Sequence, residues 1–193
     1  MSTLGHNKGP TMEAGAGWRT HCWKKARREL LPVLPIEILR RRVARAAELG
    51  LDYTSYASIR AASGHDVIAF LFSSNALRIF PKSLLLSGRR QAKLDTIQNA
   101  NRIAALHAPL TPDSLKKAMP ESVQPLFEAS FKAPDFSQTW GQVRAAILQQ
   151  THNMGLARDG VVVVGDTSAE RGWSEAARLA GYVSADQFFQ AKA

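Results

Sequence analysis

Apolar positions recur along this chain with two different periods. The early part follows a helical repeat and the later part alternates between helical repeats and short continuous apolar runs. At about 100° per residue, Trp18, Cys22, Trp23, Ala26 and Leu30 fall on one side of a helix. His21, Lys24, Lys25, Arg27 and Arg28 fall on the other. The pattern predicts a helix over 18–31 that stops before Pro32, with Trp18 and Trp23 in a core role. A second helix is expected over 35–50, opened by Pro35 and closed by Gly50. Its apolar stripe is Ile36, Leu39, Val43 and Ala47, with Arg41, Arg42 and Arg45 pointing away. A third begins after Asp52, a suitable N-cap, and ends by Gly64.

The pattern then changes. Six consecutive apolar residues, 67–72, fit a buried strand or the start of a buried helix running to Ile79. Gly64 before them and Ser73-Ser74-Asn75 after them favour the strand. A helix over 88–98 follows, then a strand over 102–107 closed by Pro109. Five of the nine prolines lie within 109–134, which reads as an irregular excursion with one short helix near 114–119. Phe136, Trp140, Val143 and Ile147 recur at helical spacing to about residue 150. The four valines between Gly160 and Gly165 form the clearest strand. Thr167 and Glu170 then match a capping box, predicting a helix to Gly181 and a last helical turn over 184–189. Three strands separated by helices imply βαβ units. The expected fold is therefore α/β: a flexible leader (1–17), a basic helical region (18–64), and a body (65–193) built on a small, mostly parallel sheet flanked by helices.

Composition agrees with a folded chain: 45% of residues are apolar. No apolar run approaches the roughly 18 residues that span a bilayer, and residues 1–17 lack the apolar stretch of a secretory signal. A lone cysteine, Cys22, excludes an intramolecular disulfide and fits a cytoplasmic location. Charge changes the picture more. The net charge is +9, and residues 1–60 hold 11 Lys and Arg against 5 Asp and Glu. An excess concentrated in under a third of the chain points to an anionic partner. Lys24, Lys25, Arg27, Arg28, Arg41, Arg42 and Arg45 are the candidate contacts, on two rows suited to phosphates. The second and third helices have the outline of a helix-turn-helix, although Arg60 is the third helix's single cation. Glu37 and Glu48 offset part of the second helix through pairs with Arg41 and Arg45.

Candidate chemistry lies at the carboxyl ends of the strands, where open α/β sheets bind ligands. Ser74, Asn75, His107 and Asp166 are placed there, beside Thr167 and the amides of the following helix. The stretches Phe70-Leu-Phe-Ser-Ser-Asn75 and Val161-Val-Val-Val-Gly-Asp-Thr167 resemble two strand-end motifs of haloacid-dehalogenase-type phosphatases. The resemblance implies phosphoryl chemistry at those ends. That family's nucleophilic Asp, in a D-x-D pattern after an early strand, has no counterpart: Asp52 and Asp66 stand alone, and the covalent step lacks its agent. Phosphate-loop, dinucleotide and nucleophile-elbow motifs are missing, and the histidines are scattered. No metal and no cofactor are expected.

Two functional expectations follow. The first is a non-enzymatic, accessory or regulatory protein binding nucleic acid, or an acidic protein surface, through its basic N-terminal helices. The alternative is a small α/β enzyme or ligand-binding protein for a phosphorylated or anionic small molecule, acting at the carboxyl ends of the strands.

Overall fold

Residues 16–30, 34–118 and 126–190 are described by the computed structural model. The chain divides into two units, 1–39 and 40–193. In the first, helix α1 covers Ala16–Leu30, and its expected stop before Pro32 lies outside the described residues. Trp18 and Trp23 are exposed, at 70% and 66%, so the core role expected of them is corrected. Trp18 stacks instead on His21, three residues on. Most of the expected leader lies outside the described residues; Ala16 and Gly17 open α1.

Helix α2 (Ile36–Glu48) runs into the second unit, where Ala46 is buried. Helix α3 (Tyr53–Ser63) begins at Asp52, whose carboxylate accepts from the Ser55 N–H, and ends at Gly64 in the left-handed region. Five strands follow in an α/β succession: β1 (Ala69–Ser73), β2 (Asn101–Leu106), β3 (Ala129–Lys132), β4 (Val161–Gly165) and β5 (Gly181–Ser184). The helices between them are α4 (Ser74–Leu77), α5 (Gly88–Asp95), α6 (Pro112–Ala118), α7 (Trp140–Asn153) and α8 (Ser168–Ala177), and α9 (Ala185–Gln190) follows β5. The fold is α/β with a five-stranded sheet in the order β3-β2-β1-β4-β5. Every pairing is parallel.

The sheet separates two cores. Along β1, Phe70 and Phe72 face one side, with Val162, Val164, Leu106 and the Phe188–Phe189 pair of α9. Phe188 meets Phe70 and Phe72 edge-on at 5.3 and 5.4 Å. Ala69 and Leu71 face the other side, with Val161, Val163, Ile147 of α7 and Trp173 of α8. Both faces being covered explains why β1 and β4 are apolar throughout rather than alternating. The chain leaves β1 toward β2 and β3, then returns across the sheet to β4 and β5. That reversal is the switch point of a doubly wound sheet, and it opens a crevice at the carboxyl ends of β1 and β4.

Two strands escape the apolar pattern. β3 falls within the proline-rich excursion, and β5 lies between the two helices expected around it. Each is a four-residue edge strand whose residues are mostly half-buried, so neither carries a continuous apolar run. Pro120 and Pro125 of the excursion lie outside the described residues. The alternative of a buried helix over 66–79 is corrected: β1 gives way to the single turn of α4, where the Ser73 hydroxyl accepts from the Ala76 N–H.

Arg45 is also corrected. Rather than pointing outward, it reaches Asp66 (Nε–Oδ2 3.0 Å) and Glu48 (2.8 Å) and donates to the carbonyls of Val67, Gln98 and Asn99. Asp66 also accepts from the Tyr56 hydroxyl at 2.8 Å. Burial opposes ionisation of Asp66, but the bonds from Tyr56 and Arg45 outweigh it and hold its carboxyl below the ordinary value of 3.8. A depressed carboxylate stabilises the fold above its unfolded pKa, and that contribution is lost as pH falls through the folded value. Asp66→Asn is therefore expected to cost about 1 kcal/mol at neutral pH, a figure reduced because over a third of the side chain is exposed. In urea unfolding the wild-type and variant stabilities should converge as the pH drops below 3.8; a gap independent of pH refutes the role.

Candidate functional site

Register brings the carboxyl ends of the strands level. Ser73 pairs with Ala105, Leu106 with Lys132, and Gly165 with Ser184. Ser74 and Asn75 after β1, His107 after β2 and Asp166 after β4 therefore emerge on one edge.

A buried carboxyl ties them together. Glu170 of α8 is fully inaccessible. Its Oε2 accepts the N–H of Asp166 (2.6 Å) and of Thr167 (2.9 Å). Its Oε1 accepts from Asn75 Nδ2 at 3.0 Å and lies 3.6 Å from His107 Nε2. The capping box foreseen at Thr167 and Glu170 is present, and the same carboxyl also clamps the loop after β1 to the loop after β4. Close approach requires glycine beneath it: a Cβ on Gly165 would stand 2.8 Å from both Glu170 Cβ and Tyr182 Cε2. Burial, and then the neighbouring Glu170 charge, raise the Tyr182 phenol above its ordinary value.

Ser74 sets the imidazole. Its hydroxyl accepts the His107 backbone N–H at 3.1 Å and lies 3.0 Å from Nδ1 of the ring. The ring is stacked on Trp173 with centroids 5.4 Å apart. Ser74 is only 1% exposed, so it orients His107 from behind rather than presenting an oxygen to solvent. Asp166 turns elsewhere, pairing with Arg78 at 3.1 Å.

In front of His107 lies a cleft of about 590 Å³. Asn75, His107, Lys132, Asp135, Gln138, Thr167 and Ser168 supply its polar lining, and Phe136, Trp140 and Trp173 its aromatic lining. The Asp135 carboxyl is held below the ordinary value by bonds from Ser137 and by the nearby Lys132 charge. Of the four strand-end candidates, Asn75 and His107 line the cleft, whereas Ser74 and Asp166 are tied to it through His107 and Glu170. Sequence reading missed Lys132, because β3 was not recognised, and treated Glu170 as a cap alone. Among the described residues no group of three or more His, Cys, Asp and Glu could hold a metal ion.

The basic candidates are distributed differently. Lys25 and Arg41 are exposed, Arg42 is half-buried, and Arg45 is engaged in the network with Asp66. Lys24, Arg27 and Arg28 share α1 with Lys25, and their side chains lie outside the described ones.

The fold defines a class: a doubly wound α/β protein whose polar groups converge at its switch point. No protein-family model matches the chain, and no curated protein matches it. Among solved structures it is similar to a HAD-superfamily hydrolase, subfamily IA, variant 1, from Geobacter sulfurreducens PCA. Identity is 12%, the TM-score 0.46, and the match covers 61% of this chain and 89% of that one. A likeness of that size carries no argument about function.

The geometry corrects the first functional expectation, that of a nucleic-acid-binding, accessory or regulatory protein. Arg45 stabilises the fold rather than a partner's phosphates. Helix α3 turns Ser55, Tyr56 and Ile59 inward, and its single cation, Arg60, pairs with Asp66 at 3.7 Å. The converging polar groups lie at the sheet's carboxyl edge, not on the basic helices. No helix among the described residues is long and apolar enough to cross a membrane.

Proposed function

We propose that this protein binds a phosphorylated or otherwise anionic small molecule in the cleft at the carboxyl edge of its sheet. One observation carries the reading: loops from β1, β2, β3 and β4 place Asn75, His107, Lys132 and the start of α8 around a single cavity. Lys132 supplies a full positive charge. The amides at the start of α8, with Ser168 and Ala169 on the cleft wall, favour an anionic ligand oxygen through their N–H groups and the helix dipole. The cavity has the volume of a small-molecule site, which runs about 300–1,000 Å³. Ser73 and Ser74 are buried and hydrogen-bonded, so neither presents a nucleophilic oxygen to the cleft.

Calorimetric titration with inorganic phosphate, ribose 5-phosphate and a dicarboxylate tests this. Binding of at least one is expected, falling with salt, and Lys132→Ala should weaken it about tenfold. Lys132 is exposed on an edge strand, so its loss leaves the fold intact. No binding at low salt, or binding indifferent to Lys132→Ala, overturns the proposal.

A further inference from the structure

We infer that the small molecule carries a planar ring beside its anionic group, as a nucleoside phosphate does. The inference rests on the reading of the cleft as an anion site and names what fills the rest of it. A phosphate group occupies a small part of about 590 Å³. The remaining wall is aromatic, and two of its rings face water: Phe136 is 95% exposed and Trp140 58%.

Neither ring hangs on loose backbone. Phe136 lies in a turn held by the Asp135 carboxylate accepting from the Ser137 N–H at 3.0 Å and by Gln138 Oε1 accepting from the Asp135 N–H at 3.2 Å. Trp140 is the first residue of α7, within the Thr139–Gln142 capping box. Its indole lies over Gly172 of α8, where a Cβ would come within 3.5 Å of Cζ3. A large apolar side chain held in water by a bonded turn forgoes the stabilisation of burial, and a ring-bearing ligand restores it on binding. Flat aromatic faces favour flat partners, because stacking requires only a π-face and tolerates different rings. Deeper in, His107 stacked on Trp173 closes the cleft beside Asn75. The cleft thus combines polar groups, Lys132, Thr167 and Ser168 among them, with two exposed rings, Phe136 and Trp140.

The test is calorimetry on the full chain with the 5′-monophosphates of adenosine, guanosine, cytidine and uridine, against ribose 5-phosphate. At least one nucleotide is expected to bind about fivefold or more tighter than the ring-free ester. Phe136→Ala and Trp140→Ala should each shrink that ratio toward one, while Trp140→Phe keeps most of it. Circular dichroism confirms that each variant is folded; Phe136, almost wholly exposed, is the control for any packing loss at Trp140. Ribose 5-phosphate binding as tightly as every nucleotide overturns this inference and leaves the anion site standing. A nucleotide advantage that survives both alanine variants also overturns it. If neither class of ligand binds, the anion site itself is wrong.

Discussion

Glu170→Ala is expected to lower stability by about 3–5 kcal/mol, the largest effect of a single polar substitution in this protein. The side chain is fully buried and accepts from two backbone N–H groups and one amide. Alanine leaves the donors of Asp166, Thr167 and Asn75 without that partner, at roughly 1–3 kcal/mol for each buried group that water cannot reach. The loss also removes the clamp between the loops after β1 and β4, so ligand binding should fall with stability. Glu170→Gln keeps one acceptor oxygen but turns an NH₂ group toward a donor, and an intermediate cost of about 2 kcal/mol is expected. Urea unfolding monitored by circular dichroism measures both. A cost below about 1 kcal/mol for alanine would show that the carboxyl is not the tie described above.

Arg45→Ala is expected to cost about 3 kcal/mol. Its side chain is 18% exposed and serves two carboxylates and three carbonyls drawn from α2 and from the segments before β1 and β2. Removal leaves those acceptors to water and takes from Asp66 the nearer of its two cations, Arg60 remaining at 3.7 Å. Arg45→Lys should recover little, because an ammonium is a point charge and cannot span a fork of five donors. Arg41→Ala, one turn away on the exposed side of α2, should stay within about 0.5 kcal/mol. Equal effects at positions 41 and 45 would refute the assignment.

Arg41, Arg42 and Arg45 look alike in sequence. Their helical spacing places them off the expected stripe of Ile36, Leu39, Val43 and Ala47, and nothing local separates them; in the structure Ile36, Val43 and Ala47 are exposed, whereas Arg45 is half-buried and Ala46 buried. What separates Arg45 is Asp66, 21 positions later, brought beside it by the packing of α2 and α3 ahead of β1. Charge composition therefore suggested a cationic surface where part of the charge is internal. Glu170 makes the same point: a capping box is local and was legible, but the second oxygen's partners, Asn75 and His107, follow β1 and β2 and are distant in sequence.

Periodicity and local chemistry determined much of the fold. The apolar runs of β1 and β4, the stop signal at Gly64, and the caps at Asp52 and Thr167 depend on residues within a few positions of one another. Solvent exclusion on both faces and orphan N–H groups at helix ends act over those distances, so the sequence alone registers them. It also placed Ser74, Asn75, His107 and Asp166 at strand ends. Only the tertiary structure decided which strands neighbour one another, because parallel pairing joins segments across long crossovers. That decision created the short edge strands β3 and β5, brought Lys132 level with Leu106, and set Asn75, His107 and Glu170 within contact of each other. The cleft belongs to the sheet's order, and no local pattern encodes that order.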